Sequence, residues 1–271
     1  MNQTSNSMLN YKKIKLKCCV VGLGYIGLPT AAIIASKGIN VTGIDINNDV
    51  ISTVNNGSIH IYEPELKTLV KKVVKDGFLK AQKVPTQSDI YILAVPTPFI
   101  NNKNEIPLPN LDFVFSAINS IIPYLQAGNL IILESTSPIG TTDKLGEIIE
   151  EKTNFTTKDI HISYCPERVI PGRILKELVT NDRVIGGIDD ISSKKCEEFY
   201  SIFCKGKLYK TSAKAAELTK LTENAYRDVN IAFANELSIL SDKLGINYKE
   251  VIELANHHPR VEVLQPGCGV G

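Results

Sequence analysis

The sequence has almost no surplus of charge. Thirty basic residues stand against 29 acidic ones, a net charge of +1. A nucleic-acid binder needs a basic excess to meet the phosphates, so that class is set aside. The six cysteines, Cys18, Cys19, Cys165, Cys196, Cys204 and Cys268, contain no C-x-x-C pair, and only four histidines accompany them. This offers no zinc pattern, and no metal is expected. Scattered free thiols suit a reducing cytoplasm. Internal repeats and low-complexity tracts are also missing. One run of 19 uncharged residues, Cys18–Ser36, follows Lys12, Lys13, Lys15 and Lys17. Three glycines, a proline and a tyrosine interrupt it and no small-residue cleavage site is clear, so neither a membrane span nor a signal peptide is expected. The remaining class is a globular chain, 43% hydrophobic and 22% charged, long enough for one large domain or two smaller ones.

That uncharged run has another reading. Gly22, Gly24 and Gly27 fall in G-x-G-x-x-G spacing, between a hydrophobic lead-in (Ile14 to Val21) and an apolar lead-out of small residues (Thr30 to Ser36). Strand, tight turn and helix in this order form a dinucleotide-binding unit. Gly22 permits the turn, Gly24 lets backbone approach a pyrophosphate, and Gly27 lets the helix lie close on the strand. The helix N-terminus then presents N–H groups to the phosphates. Residues Asn40 to Ile44 read as a second strand that ends at Asp45, 23 residues after Gly22. The acid that binds a ribose 2′-hydroxyl is expected about 20 residues on, and an aspartate there selects NAD over NADP.

Further along, Glu63 to Asp76 has helical periodicity, with Leu66, Leu69, Val70, Val73 and Val74 on one face. Ile90 to Val95, Asn129 to Leu133, His161 to Tyr164 and Arg183 to Gly187 read as short buried strands, the last of them closing the sheet. Helices are expected over Leu111 to Leu125 and from Thr141 or Thr142, as N-caps, to about Lys152. The alternation predicts a Rossmann-type doubly wound parallel sheet. Thr97, Thr136 and Glu167-Arg168 each follow a strand, where ligands gather in such sheets. From Ala213 to Leu244 there is neither proline nor glycine, which predicts one long central helix. Leu218, Leu221, Ala225, Val229 and Ala232 stripe one face, while Lys220, Asn224 and Arg227 share another. Ile231 and Phe233 nearby suggest that the middle of this helix is buried, so its polar side chains would need an anionic ligand. A short helix over Tyr248 to Ala255 completes a small helical region.

Taken together, GLGYIGLP, VPTP, ESTSPIGTT, CPERVIPG, ELTKLTENAYRDVNIAFANE and HHPRVEVLQPGCGVG resemble the nucleotide-sugar 6-dehydrogenases of the UDP-glucose/GDP-mannose dehydrogenase family. CPERVIPG and HPRV…QPG look most like the branch acting on UDP-N-acetyl-D-mannosamine. UDP-N-acetylglucosamine, UDP-glucose and a non-catalytic NAD-binding module stay open as alternatives. The resemblance implies NAD-dependent oxidation of a sugar C6 hydroxymethyl to a carboxylate, without a metal. It implies that Tyr25, Ile26, Asp45, Thr97 and Thr136, with the glycine turn, contact NAD. Arg168, Val169, Lys220, Asn224, Arg227, His258, Arg260 and Gly271 would hold the sugar nucleotide. Lys220 would be the acid/base group, Asn224 a donor to a developing oxyanion, and Glu167 a proton-transfer or water-positioning group.

Three regions are expected: a disordered tail at 1–13, an NAD-binding domain at 14–210, and a central helical region at 211–271 that dimerises through the long helix. In the family, Gly-Gly-His-Cys follows the glycine loop and supplies a cysteine nucleophile, and a UDP-binding domain comes after it. Both are expected to be absent here, since the sequence ends at Gly271 and Cys268 sits where relatives often have proline. Residues 1–271 are therefore expected to bind NAD and to turn over poorly or not at all.

Overall fold

The chain runs β1 (Lys17–Val21), α1 (Gly27–Ser36), β2 (Asn40–Ile44), α2 (Asn48–Asn55), α3 (Leu66–Lys75), β3 (Leu79–Gln82), β4 (Ile90–Leu93), β5 (Phe99–Ile100), β6 (Leu108–Pro109), α4 (Asp112–Ile121), β7 (Leu130–Leu133), α5 (Thr141–Lys152), β8 (His161–Tyr164), α6 (Ile174–Thr180), β9 (Arg183–Gly187), α7 (Asp190–Tyr200), β10 (Leu208–Ser212), α8 (Ala213–Leu244) and α9 (Tyr248–Asn256). The computed structural model describes residues 16–100 and 106–269. The expected tail at 1–13 and Gly271 lie outside them.

Eight strands form one sheet in the order β10-β9-β8-β7-β4-β1-β2-β3. Neighbours are parallel except β8 and β9. The strands are short and alternate between two faces, so each strand feeds two cores. Cys18, Val20, Ile92 and Ile132 pack under α1, α3, α6 and α7. Cys19, Val21, Tyr91, Leu93 and Leu133 pack under α4 and α5. The fold is thus the expected doubly wound, mostly parallel sheet, with two departures. Arg183–Gly187 is not the last strand, because β10 lies outside it. It also runs against β8, beginning beyond that strand's carboxyl end and meeting it only where Ser163 pairs with Gly187 and Tyr164 with Gly186. The periodicity of a five-residue strand carries no information on its direction. The uncharged run Cys18–Ser36 is divided into β1, a turn and α1, and among the described residues no helix is long and apolar enough to cross a membrane.

Two compact units part between Glu217 and Leu218, inside α8. Within the first, Glu217 is fully buried and accepts from Gly140 N (2.6 Å), Thr142 N (2.8 Å) and Thr142 Oγ1 (2.6 Å). This replaces the expected threonine caps. The N-cap of α5 is Gly140, at φ +91°, and the carboxylate that meets the helix amides comes from 75 residues away.

The second unit contains α8 from Leu218 onward, α9 and the glycine-rich loop. The expectation of a buried middle to α8 does not hold. Every residue from Ala225 to Val229 is exposed, and so are Leu218 and Phe233. The apolar stripe is present, with Leu218, Ala225, Val229 and Ala232 exposed among the described residues. Only Ala234 and Ser241 on this stretch of α8 are buried.

Glu217→Ala should remove about 3 kcal/mol of stability, since it strands two buried amides and a hydroxyl. Urea denaturation checks this; a loss under about 1 kcal/mol would show that solvent replaces the carboxylate there.

Candidate active site

The carboxyl ends of β1 and β4 meet where the strand order reverses, the place where open α/β sheets bind ligands. There Gly22 has φ +95°, and a Cβ on it would stand 2.4 Å from the Ala94 carbonyl oxygen. A Cβ on Gly27 would stand 1.8 Å from the Gly22 carbonyl oxygen. Both positions admit glycine alone. Gly24 has nothing within 4 Å of a Cβ position, so its backbone faces open space. Ile26 precedes α1 and provides no side-chain cap, which leaves the helix N-terminus available to an anion. Tyr25 is exposed beside it. Asp45 crosses from the end of β2: Oδ2 accepts from Leu23 N at 3.1 Å and Oδ1 from Asn47 N at 2.9 Å. The acid therefore sits against the glycine turn. A dinucleotide fits these features: an open glycine, an uncapped helix end and a carboxylate at the second strand.

Two further strand ends are joined directly. Thr97, past β4, donates from Oγ1 to the Thr136 carbonyl oxygen, past β7, at 2.8 Å. Ser135 Oγ donates to Val95 O at 2.7 Å and strengthens the same junction.

Beyond β8 lies the loop 165–173, with Glu167, Arg168 and Val169. Glu167 is buried and paired with Arg183, whose Nη1 is 3.3 Å from Oε2. Because β9 begins past the end of β8, Arg183 stands directly beneath this loop. Its guanidinium also donates to Leu178 O at 3.2 Å and lies 4.5 Å from the Tyr200 ring centroid. Burial pulls its pKa down, but Glu167, Cys165, Tyr200 and Glu134 together outweigh that and hold it charged. Arg168 Nη1 donates to Asp182 O at 3.3 Å, and Val169 packs on the core.

Behind Glu167 is a second buried acid. Glu134 accepts from Tyr200 OH at 2.7 Å and from Thr30 Oγ1, on α1, at 3.4 Å. Burial, then the nearby Glu167, pushes its pKa up to about 8 against the pull of Arg183 and the Tyr200 hydrogen bond. Sequence reasoning named no role for Glu134, Arg183 or Tyr200. Their long-range pairing left no local signal, although Glu134 opens the ESTSP stretch.

In the second unit, Lys220 and Asn224 are half-buried one turn apart on α8, and Arg227 is exposed. His258 and Arg260 are exposed after α9, with Arg260 N donating to His258 Nδ1 at 3.3 Å. Two asparagines, also missed, hold the following loop as a β-ladder would. Asn256 exchanges hydrogen bonds with both backbone groups of Val263 (2.7 and 3.0 Å), and Asn235 does the same with Gly267 (2.9 and 2.8 Å). Gly269 has φ +83°, and a Cβ there would meet Asp228 Oδ1 at 2.6 Å. Cys268 is exposed in this loop. Among the described residues no three His, Cys, Asp or Glu side chains gather as metal ligands.

The pKa of Glu134 yields a signed prediction. Between the ordinary value of 4.5 and about 8, the folded chain keeps a proton that the unfolded chain releases. Its contribution to stability is therefore complete at low pH and is lost as pH rises through that window. Thermal midpoints at about pH 5.5 and about pH 8.5 should fall more steeply for the wild type than for Glu134→Gln. Equal slopes would mean that Glu134 titrates outside that window.

Residues 16–204 match the NAD binding domain of the UDP-glucose/GDP-mannose dehydrogenase family, and residues 214–271 match its central domain. The chain is 54% identical over 267 residues to a UDP-N-acetyl-D-mannosamine dehydrogenase of Campylobacter jejuni, covering 94% of this chain and 64% of that protein. An NDP-N-acetyl-D-galactosaminuronic acid dehydrogenase of Ralstonia nicotianae is 48% identical over 260 residues, covering 93% of this chain and 60% of that one. The solved structure of a UDP-D-ManNAc dehydrogenase from Pyrococcus horikoshii superimposes with a TM-score of 0.89 at 43% identity, covering 94% of this chain and 61% of that one. The chain thus spans less than two thirds of each relative's length. With its glycine turn, switch-point Asp45 and two matched domains, the chain belongs to the UDP-glucose/GDP-mannose dehydrogenase family.

Proposed function

We propose that this chain is the cofactor- and sugar-facing part of an NAD-dependent 6-dehydrogenase. The whole enzyme oxidises the C6 hydroxymethyl of UDP-N-acetyl-D-mannosamine to the carboxylate in the cytoplasm, passing two hydrides to two NAD⁺ and taking one oxygen from water. The observation that carries the reading is the hydrogen bond between Asp45 and Leu23 N within the glycine turn. It supports the reading of Asp45 as a ribose-binding acid beside a phosphate-binding turn, with Thr97, Thr136 and Glu167 at the neighbouring strand ends. The relatives' names support an N-acetylhexosamine as the sugar, since two of them, acting on different sugars, share that group.

Gly22, Gly24, Tyr25, Ile26, Gly27, Asp45, Thr97 and Thr136 hold NAD, which supplies the hydride acceptor when bound. Arg168, Val169, Lys220, Asn224, Arg227, His258, Arg260 and Gly271 hold the sugar nucleotide. Lys220 takes the C6 hydroxyl proton, Asn224 donates to the oxygen as charge develops, and the buried Glu167 orients water or relays a proton. Residues 14–210 form the cofactor domain, and 211–271 the helical region. The Gly-Gly-His-Cys of the family is not among residues 1–271. A second copy covers the apolar stripe of α8, where Leu218, Tyr226, Val229 and Phe233 are exposed.

Calorimetry with residues 1–271 should show NAD⁺ binding that Asp45→Ala weakens by about tenfold or more. Steady NADH formation from UDP-N-acetyl-D-mannosamine should be absent. No heat with NAD⁺ overturns the cofactor site, and sustained turnover overturns the reading that residues 1–271 lack the nucleophile. Light scattering should give a dimer mass, and a monomer mass removes the second copy from α8.

A further inference from the structure

The loop 165–173 bears two of the residues assigned to the sugar nucleotide, Arg168 and Val169, together with Glu167, and the helix that follows it has no side-chain cap from its own N-cap residue. Arg173 precedes α6 and its side chain does not cap the helix. The amides at this end are met instead by Glu63, more than 100 residues earlier. Its Oε2 accepts from Gly172 N at 2.8 Å, and its Oε1 accepts from Ile174 N at 2.7 Å. Both carboxylate oxygens are taken up by loop backbone, and the side chain is only 4% exposed. A buried carboxylate is retained only where such partners satisfy it.

The periodicity of Glu63 to Asp76 places Glu63 at the start of a helix. The structure does not: α3 starts at Leu66, after Glu65. Glu65 has φ +63°, and among the described residues it is the one non-glycine residue with positive φ. That left-handed conformation is unfavourable for an L side chain and persists where the surroundings demand it. Here it turns the chain so that Glu63 faces the loop rather than capping α3.

Two further ties of the loop run to its own following segment. Ile170 N donates to Glu177 Oε2 at 2.9 Å, and Asn181 Nδ2 donates to Arg168 O at 3.0 Å. Loop and α6 therefore brace each other, and Glu63 binds this pair to the segment ahead of α3.

We propose that Glu63 is a positioning residue for the sugar-binding loop: aimed by the strained turn at Pro64–Glu65, its carboxylate holds the backbone at Gly172 and Ile174 and so sets where Glu167, Arg168 and Val169 stand. The proposal rests on the reading of that loop as a contact for the sugar nucleotide. It gives Glu63 no contact with NAD, whose turn at Gly22–Gly27 it does not touch.

The test uses residues 1–271 with Glu63→Ala and Glu63→Gln, titrated with UDP-N-acetyl-D-mannosamine and with NAD⁺ by calorimetry. Amide exchange at Gly172 and Ile174 is followed by NMR. Glu63→Ala should weaken sugar-nucleotide binding by about tenfold and speed both amides by at least that much, with the NAD⁺ affinity within about twofold of wild type. Glu63→Gln keeps one acceptor oxygen and should fall between, and it decides the matter if the alanine variant does not fold. Wild-type sugar affinity in both variants overturns the proposal alone. Equal loss of both ligands overturns it in favour of a general structural role. A wild-type chain that takes up no sugar nucleotide overturns the reading of the loop and this proposal with it.

Discussion

The closeness of α1 to the strand before it is the constraint on which the rest depends. The Cβ that Gly27 lacks would stand 1.8 Å from the Gly22 carbonyl oxygen, and the one that Gly22 lacks would stand 2.4 Å from that of Ala94. Three backbone segments, the glycine turn, the start of α1 and the end of β4, therefore pack with no side chain between them. This closeness directs the uncapped helix N-terminus at the switch point of the sheet. It also brings Leu23 N within reach of Asp45. Substituting either glycine would separate these segments, and the geometry proposed to receive the cofactor would go with them.

Around this contact the fold is held by buried carboxylates acting over long sequence distances. Glu217 meets the amides at the start of α5, Glu63 those at the start of α6, and Glu134 joins α1 to α7 through Thr30 and Tyr200. Each side chain is nearly or wholly inaccessible. Such groups are costly to bury, and breaking one partnership costs more than the hydrogen bond itself is worth, because the other partner is left dry and unsatisfied. They therefore act as specific ties where apolar packing would tolerate sliding. The ties concentrate beside the strand ends that carry the proposed chemistry.

The β8–β9 reversal has a similar consequence for charge. Since β9 starts beyond the end of β8, Arg183 is placed beneath Glu167 and beside the Tyr200 ring. Glu167, Arg183 and Glu134 then form one buried electrostatic group. The Arg183 charge is retained despite burial, and the second acid is driven toward its neutral form.

Local patterns in the chain determined much of this. The glycine spacing, the acid at the end of the second strand, the short apolar runs and the unbroken stretch 213–244 are properties of neighbouring residues, and each corresponds to an element or turn found where expected. Tertiary structure alone decided the direction of β9, the existence of β10, the αL turn at Glu65, and which of 29 acidic residues are buried. It also decided that Leu218 and Val229 of the α8 stripe are exposed among the described residues. These outcomes rest on contacts between residues roughly 15 to 110 positions apart. A periodicity of two or of 3.6 reports which side of an element is apolar, but not what will pack against it.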